Sequence, residues 1–425
     1  MKSRAVATVA LLAGFAAVPG GVSQRKAIAG VQGAPAINLV LRFGAVVTGQ
    51  GQTIRDAIIV VEGDRIRSVG AARSAVPAGA EMIDLRPLTA IPGLIDAHTH
   101  MTYFWDGAAG TTPLNQPRRE PAQLVELAAE NARKTLETGV TTVRDLGASR
   151  GTDYAMRDLI AAGKMIGPRM IVAGQGISAG RGGAAFDANV LVETRVKAGS
   201  DWIKVYASRG SFQSVDTTQT MSYDQMKAIV EAGHAQRVPV AIHSYGASGV
   251  KDAVRAGADS IEHGIDLDDE TFAMMVKQGT VWVPTIDHNR YYVDARAEYQ
   301  FAPETIPPLN DYIQKNFEAT RRAFKAGVSL AMGSDAVYSG FGQNTRELGW
   351  FVKSGMTPAQ ALATATTIPA KLLRRDKELG ALAPGYFADI VAVDGDPLKD
   401  IDVVINKVRW VMAGGRVVKT ADVKK

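Results

Sequence analysis

Two histidines one residue apart, His98 and His100, end the apolar run from Ile91 to His100, IPGLIDAHTH. Side chains two apart on an extended strand point the same way, so both imidazoles can meet one cation. A pair at a strand end is by itself more often two hydrogen-bonded structural histidines than a ligand pair. Further donors follow, each behind its own short apolar run: Lys204 in WIKVYAS, His243 in VPVAIHS, His263 in ADSIEHG and Asp335 in SLAMGSD. A fold that uses them together must bring the ends of separate strands to one place.

The middle of the chain, residues 89–376, supplies such a fold. Strand-like runs (LIDAHTH, TTVRDLG, RMIVAGQ, WIKVYAS, VPVAIHS, SIEHG, VWVPTI and SLAMGSD) alternate with helical stretches such as PAQLVELAAENARKTLETG, YDQMKAIVEAGHAQR and NFEATRRAFKAG, several closed by a glycine. Eight strand and helix units predict an α/β chain folded as a (β/α)8 TIM barrel. A doubly wound sheet is the competing arrangement. The barrel is preferred because it gathers the C-terminal strand ends around one mouth, where an open sheet spreads them. Residues 37–88 and 377–425 read instead as strand and turn, with hairpin signals at EGDR and at Gly414 and Gly415. The two ends are expected to meet as one small β-sandwich.

With 425 residues, 46% of them hydrophobic and 21% charged, the chain has the composition of a globular protein with one large domain and a smaller companion. A formal net charge of +5, with no cluster of basic residues interleaved with aromatics, gives nucleic-acid binding little support. Residues 1–25 have the layout of an export signal: Lys2 and Arg4 precede a small, apolar run from Ala5 to Val18. Cleavage is expected between Ala17 and Ala29. That run is shorter than the roughly 20 residues that span a bilayer, so a stable membrane anchor is the weaker reading. The mature protein is expected in the bacterial periplasm or secreted. Absence of cysteine removes disulfides, thiolate ligands and a cysteine nucleophile, so any metal must sit on N and O donors.

The ordered set of His-x-His, Lys204, His243, His263 and Asp335 resembles the amidohydrolase superfamily, in its binuclear subtype with a carboxylated lysine. It is similar in particular to the branch of prolidase-like dipeptidases, carboxypeptidase-like enzymes and ochratoxin-degrading amidohydrolases. The resemblance implies two divalent metal ions, with Zn²⁺ the default for an N/O site and Mn²⁺, Co²⁺ or Fe²⁺ compatible with the same donors. It implies that His98, His100 and Asp335 hold the more buried ion and His243 and His263 the more exposed one. Lys204, carrying CO2 as N6-carboxylysine, would bridge them; an ammonium would be repelled by two dications, whereas a carbamate offers each an oxygen. A hydroxide shared by the ions would attack the scissile carbonyl, with Asp335 as general base and then general acid. An N-cap role for Asp335 after Gly333 and Ser334 is compatible with this. Relatives in this branch commonly form larger homo-oligomers, and the same is expected here.

Contacts to substrate are less specified. His288, in VPTIDHNRYY, is placed at the mouth to bond a carbonyl or carboxylate, unless it is an exposed loop histidine. Tyr206 and Tyr245 follow Lys204 and His243 by two residues and are expected to share their direction, to donate a hydroxyl there or to be satisfied in the core. Arg181, Arg209 and Arg290 can each grip a carboxylate bidentately, or be surface arginines. Tyr103, Phe104 and Trp105 can wall an apolar pocket or fill space. His234 reads as structural or exposed, and Asp145 as loop capping or support of a ligand. In the glycine-rich stretch AGQGISAGRGGAAF, Arg181 to Ala184 stand where many relatives carry a Gly-Gly-His-Gly type sequence, so no histidine contact is expected from that loop.

The leading expectation is therefore a metal-dependent enzyme that hydrolyses the amide bond to a C-terminal amino acid, in dipeptides, N-acyl amino acids or ochratoxin-like amides. No Gly-x-Ser-x-Gly elbow offers a serine route. A deaminase or cyclic-amide hydrolase of the same superfamily is the second reading. Mononuclear deaminases do not need Lys204, and AIHS lacks the acid they use. A barrel serving only for binding or assembly is the third, and lost ligands would mark it; none is lost.

Overall fold

The computed structural model describes residues 38–74, 79–179, 186–210 and 215–420. The expected signal at 1–25, and Arg181 with its glycine-rich neighbours, lie outside the described residues. Strands β1 (Asn38–Val47), β2 (Thr53–Glu62), β3 (Arg65–Ala71), β4 (Glu81–Asp84) and β5 (Thr89–Pro92) come first. Next, interleaved with helices, come β6 (Leu94–Thr99), β7 (Val140–Asp145), β8 (Arg169–Val172), β9 (Ile177–Ser178), β10 (Ile203–Tyr206), β11 (Val240–His243), β12 (Ser260–Glu262) and β13 (Val281–Val283). Strands β14 (Ile390–Val393), β15 (Val408–Ala413) and β16 (Arg416–Lys419) finish the described chain.

Among the described residues the ladders of the central strands are all parallel, in the orders β6-β7-β8 and β9-β10-β11-β12-β13. Strands β6, β7, β11, β12 and β13 are buried at every position. That explains their near-continuous apolar sequence, since helices cover a parallel sheet on its faces. Several covering helices end on a left-handed glycine, among them Asp269–Gln278 on Gly279 (φ 75°) and Ile306–Ala326 on Gly327 (φ 85°). The latter begins ten residues before the NFEATRRAFKAG pattern. Pro307 and Pro308 sit in its first turn, where the missing N–H groups have no intrahelical partner to lose.

The run SLAMGSD forms no ladder. Leu330 bridges Trp282 of β13 and Ala336 bridges Thr99 of β6. Between them Ala97 N donates to Met332 O at 2.9 Å, and Asp335 N donates to His98 O at 2.7 Å. The segment therefore links β13 to β6, while Val172 O of β8 accepts from Asp201 N at 2.8 Å just before β10. At Gly333 the backbone passes close to both neighbours, because a Cβ there would lie 2.3 Å from Val283 Cγ1 and 2.9 Å from His98 Cβ. Gly333→Ala is accordingly expected to destabilise the chain by about 1–3 kcal/mol, as overpacking does, and to lower its urea midpoint. An unchanged midpoint would mean that this approach is relieved without cost.

The two chain ends form one hydrogen-bonded sheet in the order β16-β15-β14-β5-β1-β2-β3, with β4 added on β1. The junction is the antiparallel pair β5–β14, Thr89 opposite Val393 and Pro92 opposite Ile390. The EGDR turn joins β2 to β3 with Glu62 opposite Arg65, and Gly414 and Gly415 (φ 53° and 75°) turn β15 into β16. Phe43 of β1 and Trp410 of β15 touch edge to face, ring centroids 6.4 Å apart, although two strands separate them in the sheet. Strands lie about 4.8 Å apart, so that contact requires the sheet to curl toward its buried face. No helix among the described residues is long and apolar enough to cross a membrane.

Candidate metal centre

Asp335 is the hub. Its carboxylate Oδ1 lies 3.2 Å from His100 Nε2 and 3.6 Å from His98 Nε2, and Oδ2 lies 3.0 Å from His288 Nε2 and 3.9 Å from His263 Nε2. All five residues are buried. Burial disfavours the charged carboxylate, yet the imidazoles of His288, His98 and His100 outweigh it and hold Asp335 well below the usual carboxylate range. The backbone bends to make this approach: His263 and Asp335 adopt φ of 66° and 48°. Such strain in non-glycine residues persists only where surrounding contacts over-determine it. Here Trp282 Nε1 donates to the His263 carbonyl, and Asp335 N is tied to His98 O.

The imidazoles are oriented from behind. His98 Nδ1 meets Glu262 Oε2 at 2.8 Å, and His100 Nδ1 donates to the Gly147 carbonyl at 2.8 Å. His263 Nδ1 meets Thr285 Oγ1 at 2.6 Å, and because that hydroxyl donates to Pro284 O, it accepts from the ring. For His100 and His263 the Nδ1 proton is spent on a neighbour, and the Nε2 atoms of all three rings turn toward Asp335. His243 differs: its Nε2 donates to Gly210 O at 3.1 Å, which leaves Nδ1 as its lone pair. Burial pushes His98 and His263 well below the usual imidazole range and His243 down to about 3, the direction that frees a ring nitrogen to ligate, whereas for His100 burial is outweighed by the hydrogen bond to Asp335 and its charge, which raise it.

This donor set fits a divalent cation. Two donors each about 2.0–2.2 Å from a tetrahedral ion stand roughly 3.3–3.6 Å apart, close to the 3.2 to 3.9 Å spacings around Asp335. His98, His263 and Asp335 each offer an atom within 4.8 Å of the others. Lys204 joins them from β10, its Nζ 3.2 Å from His98 Nε2. Burial lowers its pKa to about 8. His243 packs edge to face on His263 with centroids 4.5 Å apart. All six sequence-derived donors thus meet in one place.

The residues expected to touch substrate separate into two groups. His288 is no loop histidine; it lies buried in the first turn of the helix Ile286–Asp294. Glu347, itself buried, accepts from the first N–H groups of that helix, Ile286 at 2.9 Å and Asp287 at 2.8 Å. Tyr206 meets His243 edge to face at 5.5 Å, and Tyr245 stacks on His263 at 4.9 Å. Tyr103 stacks on His100 at 4.9 Å, whereas Trp105 is turned to Thr111 Oγ1 at 2.9 Å. Away from this group, Arg290 pairs with Asp294 at 2.9 Å on the outside of the helix. Two residues on from His288 it faces the opposite way, so it does not reach the centre. Arg209 is exposed, and His234 pairs with Asp259 at 2.7 Å. Asp145 is buried behind His100, where it accepts from Met101 N and Gly147 N.

Sequence reasoning overlooked Glu262, Arg144 and Thr285. A signal for the first two is present: each is a charged residue inside an apolar strand run, SIEHG and TTVRDLG. Fully buried charges are rare unless paired. Thr285 carries no such mark.

A family model, the amidohydrolase family, matches residues 89–418. The chain belongs to the amidohydrolase family. A relative in Aspergillus niger, ochratoxinase, is 27% identical over 427 residues, covering 89% of this chain and 86% of that protein. Among solved structures, a Xaa-Pro dipeptidase with methionine bound in its active site is 31% identical with a TM-score of 0.79, over 89% of this chain and 99% of its own. The crystal structure of A. niger ochratoxinase is 25% identical with a TM-score of 0.77, over 91% of this chain and 96% of its own. The amidohydrolase described here lies in the prolidase- and ochratoxinase-like branch, with a TIM-barrel-type α/β fold, and is a hydrolytic enzyme acting on C–N bonds.

Proposed function

We propose that this amidohydrolase hydrolyses the amide bond to a C-terminal amino acid in dipeptides, N-acyl amino acids or ochratoxin-like amides. The observation that carries the reading is the convergence of His98, His100, His263 and His288 on the Asp335 carboxylate. His98, His100 and Asp335 would hold one divalent ion, His243 and His263 a second, with Lys204 as N6-carboxylysine between them. Zn²⁺ is the default for these donors. Bound there, the ions would supply a hydroxide at neutral pH and polarise the scissile carbonyl.

The chain's own groups do the rest. Asp335, held ionised by its histidines, takes the proton of the attacking water and returns it to the leaving nitrogen as the C–N bond breaks. His288 Nε2, fixed by Glu347 through its helix, steadies Asp335 Oδ2 and stands beside the position of the substrate carbonyl. Tyr206 and Tyr245 wall the approach, and Tyr103 offers an aromatic face beside His100. Arg181 and Arg209 are the proposed grips for the substrate carboxylate.

The linkage of residues 329–336 to both β13 and β6 supports a closed (β/α)8 barrel over 89–376, and the curl of the end sheet supports a small β-sandwich from 37–88 and 377–425. Export by a signal within 1–25, a periplasmic or secreted location and a homo-oligomeric state complete the proposal.

The test is removal and return of metal. Chelated enzyme is expected to release no free amino acid from a panel of dipeptides and N-acyl amino acids, and to regain most of its rate on return of about two Zn²⁺ per chain. Full activity of metal-free protein would refute the reading, and ammonia release without an amino acid would favour the deaminase.

A further inference from the structure

Beneath the metal centre lies a buried network of which only the Glu262–His98 contact has figured so far. Glu262, Arg144, Ser260 and His98 are all fully buried. Glu262 Oε1 accepts from Arg144 Nη2 at 2.8 Å and from Ser260 Oγ at 2.6 Å, while Oε2 meets His98 Nδ1 at 2.8 Å. Arg144 is itself held on three sides. Its Nε donates to Ala97 O at 2.6 Å, its Nη1 donates to Ser260 Oγ at 2.9 Å, and its guanidinium lies over the Trp202 ring at 4.4 Å.

The direction of every hydrogen bond in this network is dictated from one end. A guanidinium only donates, so Ser260 Oγ accepts from Nη1 and sends its own proton on to Glu262. Oε1 therefore faces two donors and can only accept. Paired with the Arg144 guanidinium and the Ser260 hydroxyl at Oε1, the carboxylate is left to accept at Oε2 too, so the facing ring nitrogen, His98 Nδ1, must carry the proton. His98 Nε2 is then left with its lone pair, 3.2 Å from Lys204 Nζ and 3.6 Å from Asp335 Oδ1.

We propose that Glu262, locked by Arg144 and Ser260, is a positioning residue that keeps the His98 proton on Nδ1 and its Nε2 lone pair free for the metal. This rests on the metal-centre reading above. A carboxylate behind a ligating histidine fixes its tautomer and ring orientation. What this chain adds is an arginine and a serine that remove any choice from the carboxylate.

Glu262→Gln tests it, because glutamine keeps the shape and reverses the polarity at one atom. Its single carbonyl oxygen must face Arg144 and Ser260, so its NH2 faces His98 Nδ1. That nitrogen must then accept, and the proton moves to Nε2, the atom meant for the metal. The chain has six histidines, few enough to read each tautomer by two-bond 15N–1H correlation in the 15N-histidine-labelled, metal-stripped full chain. His98 is expected as Nδ1–H in the parent and Nε2–H in Glu262→Gln. Zinc affinity, read by competition with a chromophoric chelator, is expected to fall about 10–100-fold. A Glu262→Gln protein with His98 still Nδ1–H, or with parental zinc affinity, overturns the proposal. If that variant does not fold, the parent spectrum still decides, since an Nε2–H His98 overturns it outright. A parent that takes up no zinc would instead refute the metal-centre reading, on which the tautomer measurement does not depend.

Discussion

Lys204→Ala is expected to lose about 10³-fold or more in kcat/KM, roughly 4 kcal/mol of transition-state stabilisation, because it removes the proposed bridge between two cations. The physical case begins with burial. Lys204 has a relative exposure of 1%, and its Nζ lies against His98 Nε2. Desolvation lowers its pKa to about 8. At pH 7.5 roughly a quarter of such an amine is neutral, against about 0.1% at the ordinary value near 10.4. A neutral amine is the form that captures CO2. Alanine leaves space where the carbamate stood, so a small carboxylate such as acetate or propionate is expected to restore part of the rate. Parental turnover in the variant, or a loss that no added carboxylate relieves together with an unmodified lysine in the parent's intact mass, would remove the bridge from the mechanism.

Asp335→Asn should be as damaging, with a fall of about 10³–10⁴-fold in kcat, the range expected for loss of a general base. The amide has nearly the volume of the carboxylate but neither its charge nor its proton affinity. Four imidazole nitrogens face this group, at 3.0 to 3.9 Å. The variant therefore also loses the negative charge that draws a cation to the centre, and bound metal measured by elemental analysis is expected to fall with the rate. Saturating metal that restores occupancy without restoring kcat would isolate the proton-transfer role. Restoration of both would reduce Asp335 to a ligand alone.

The two substitutions probe donors that are legible in the chain as written. His98 and His100 share a strand face by their spacing, and Lys204, His243, His263 and Asp335 each end an apolar run. Parallel strands put such ends on one side, and the structure brings the six residues into contact, with ligand atoms of His98, His263 and Asp335 within 4.8 Å of one another. Helix stops at glycine and the two end hairpins are readable for the same reason, since each depends on residues a few positions apart. His288 is harder: its neighbours do not reveal that Glu347, far along the chain, binds the first N–H groups of its helix and fixes its direction. Arg290 likewise looks like a carboxylate grip until the helix phase turns it outward to Asp294. The eighth strand run is recognisable, but its close approach to Val283 and His98 at Gly333 is something no local pattern reports.

Periodicity, strand-end donors and the missing thiols are one-dimensional properties, and from them the α/β class, the positions of the donors and their N/O chemistry follow directly. Which nitrogen of each ring carries a proton is another matter. It depends on partners such as Glu262, Gly147, Thr285 and Gly210, each 22 to 164 residues from the histidine it meets. A hydrogen bond acts over about 3 Å and is indifferent to sequence separation. The identity of the donors is therefore written along the chain, while the direction in which each lone pair points exists only once the strands have packed.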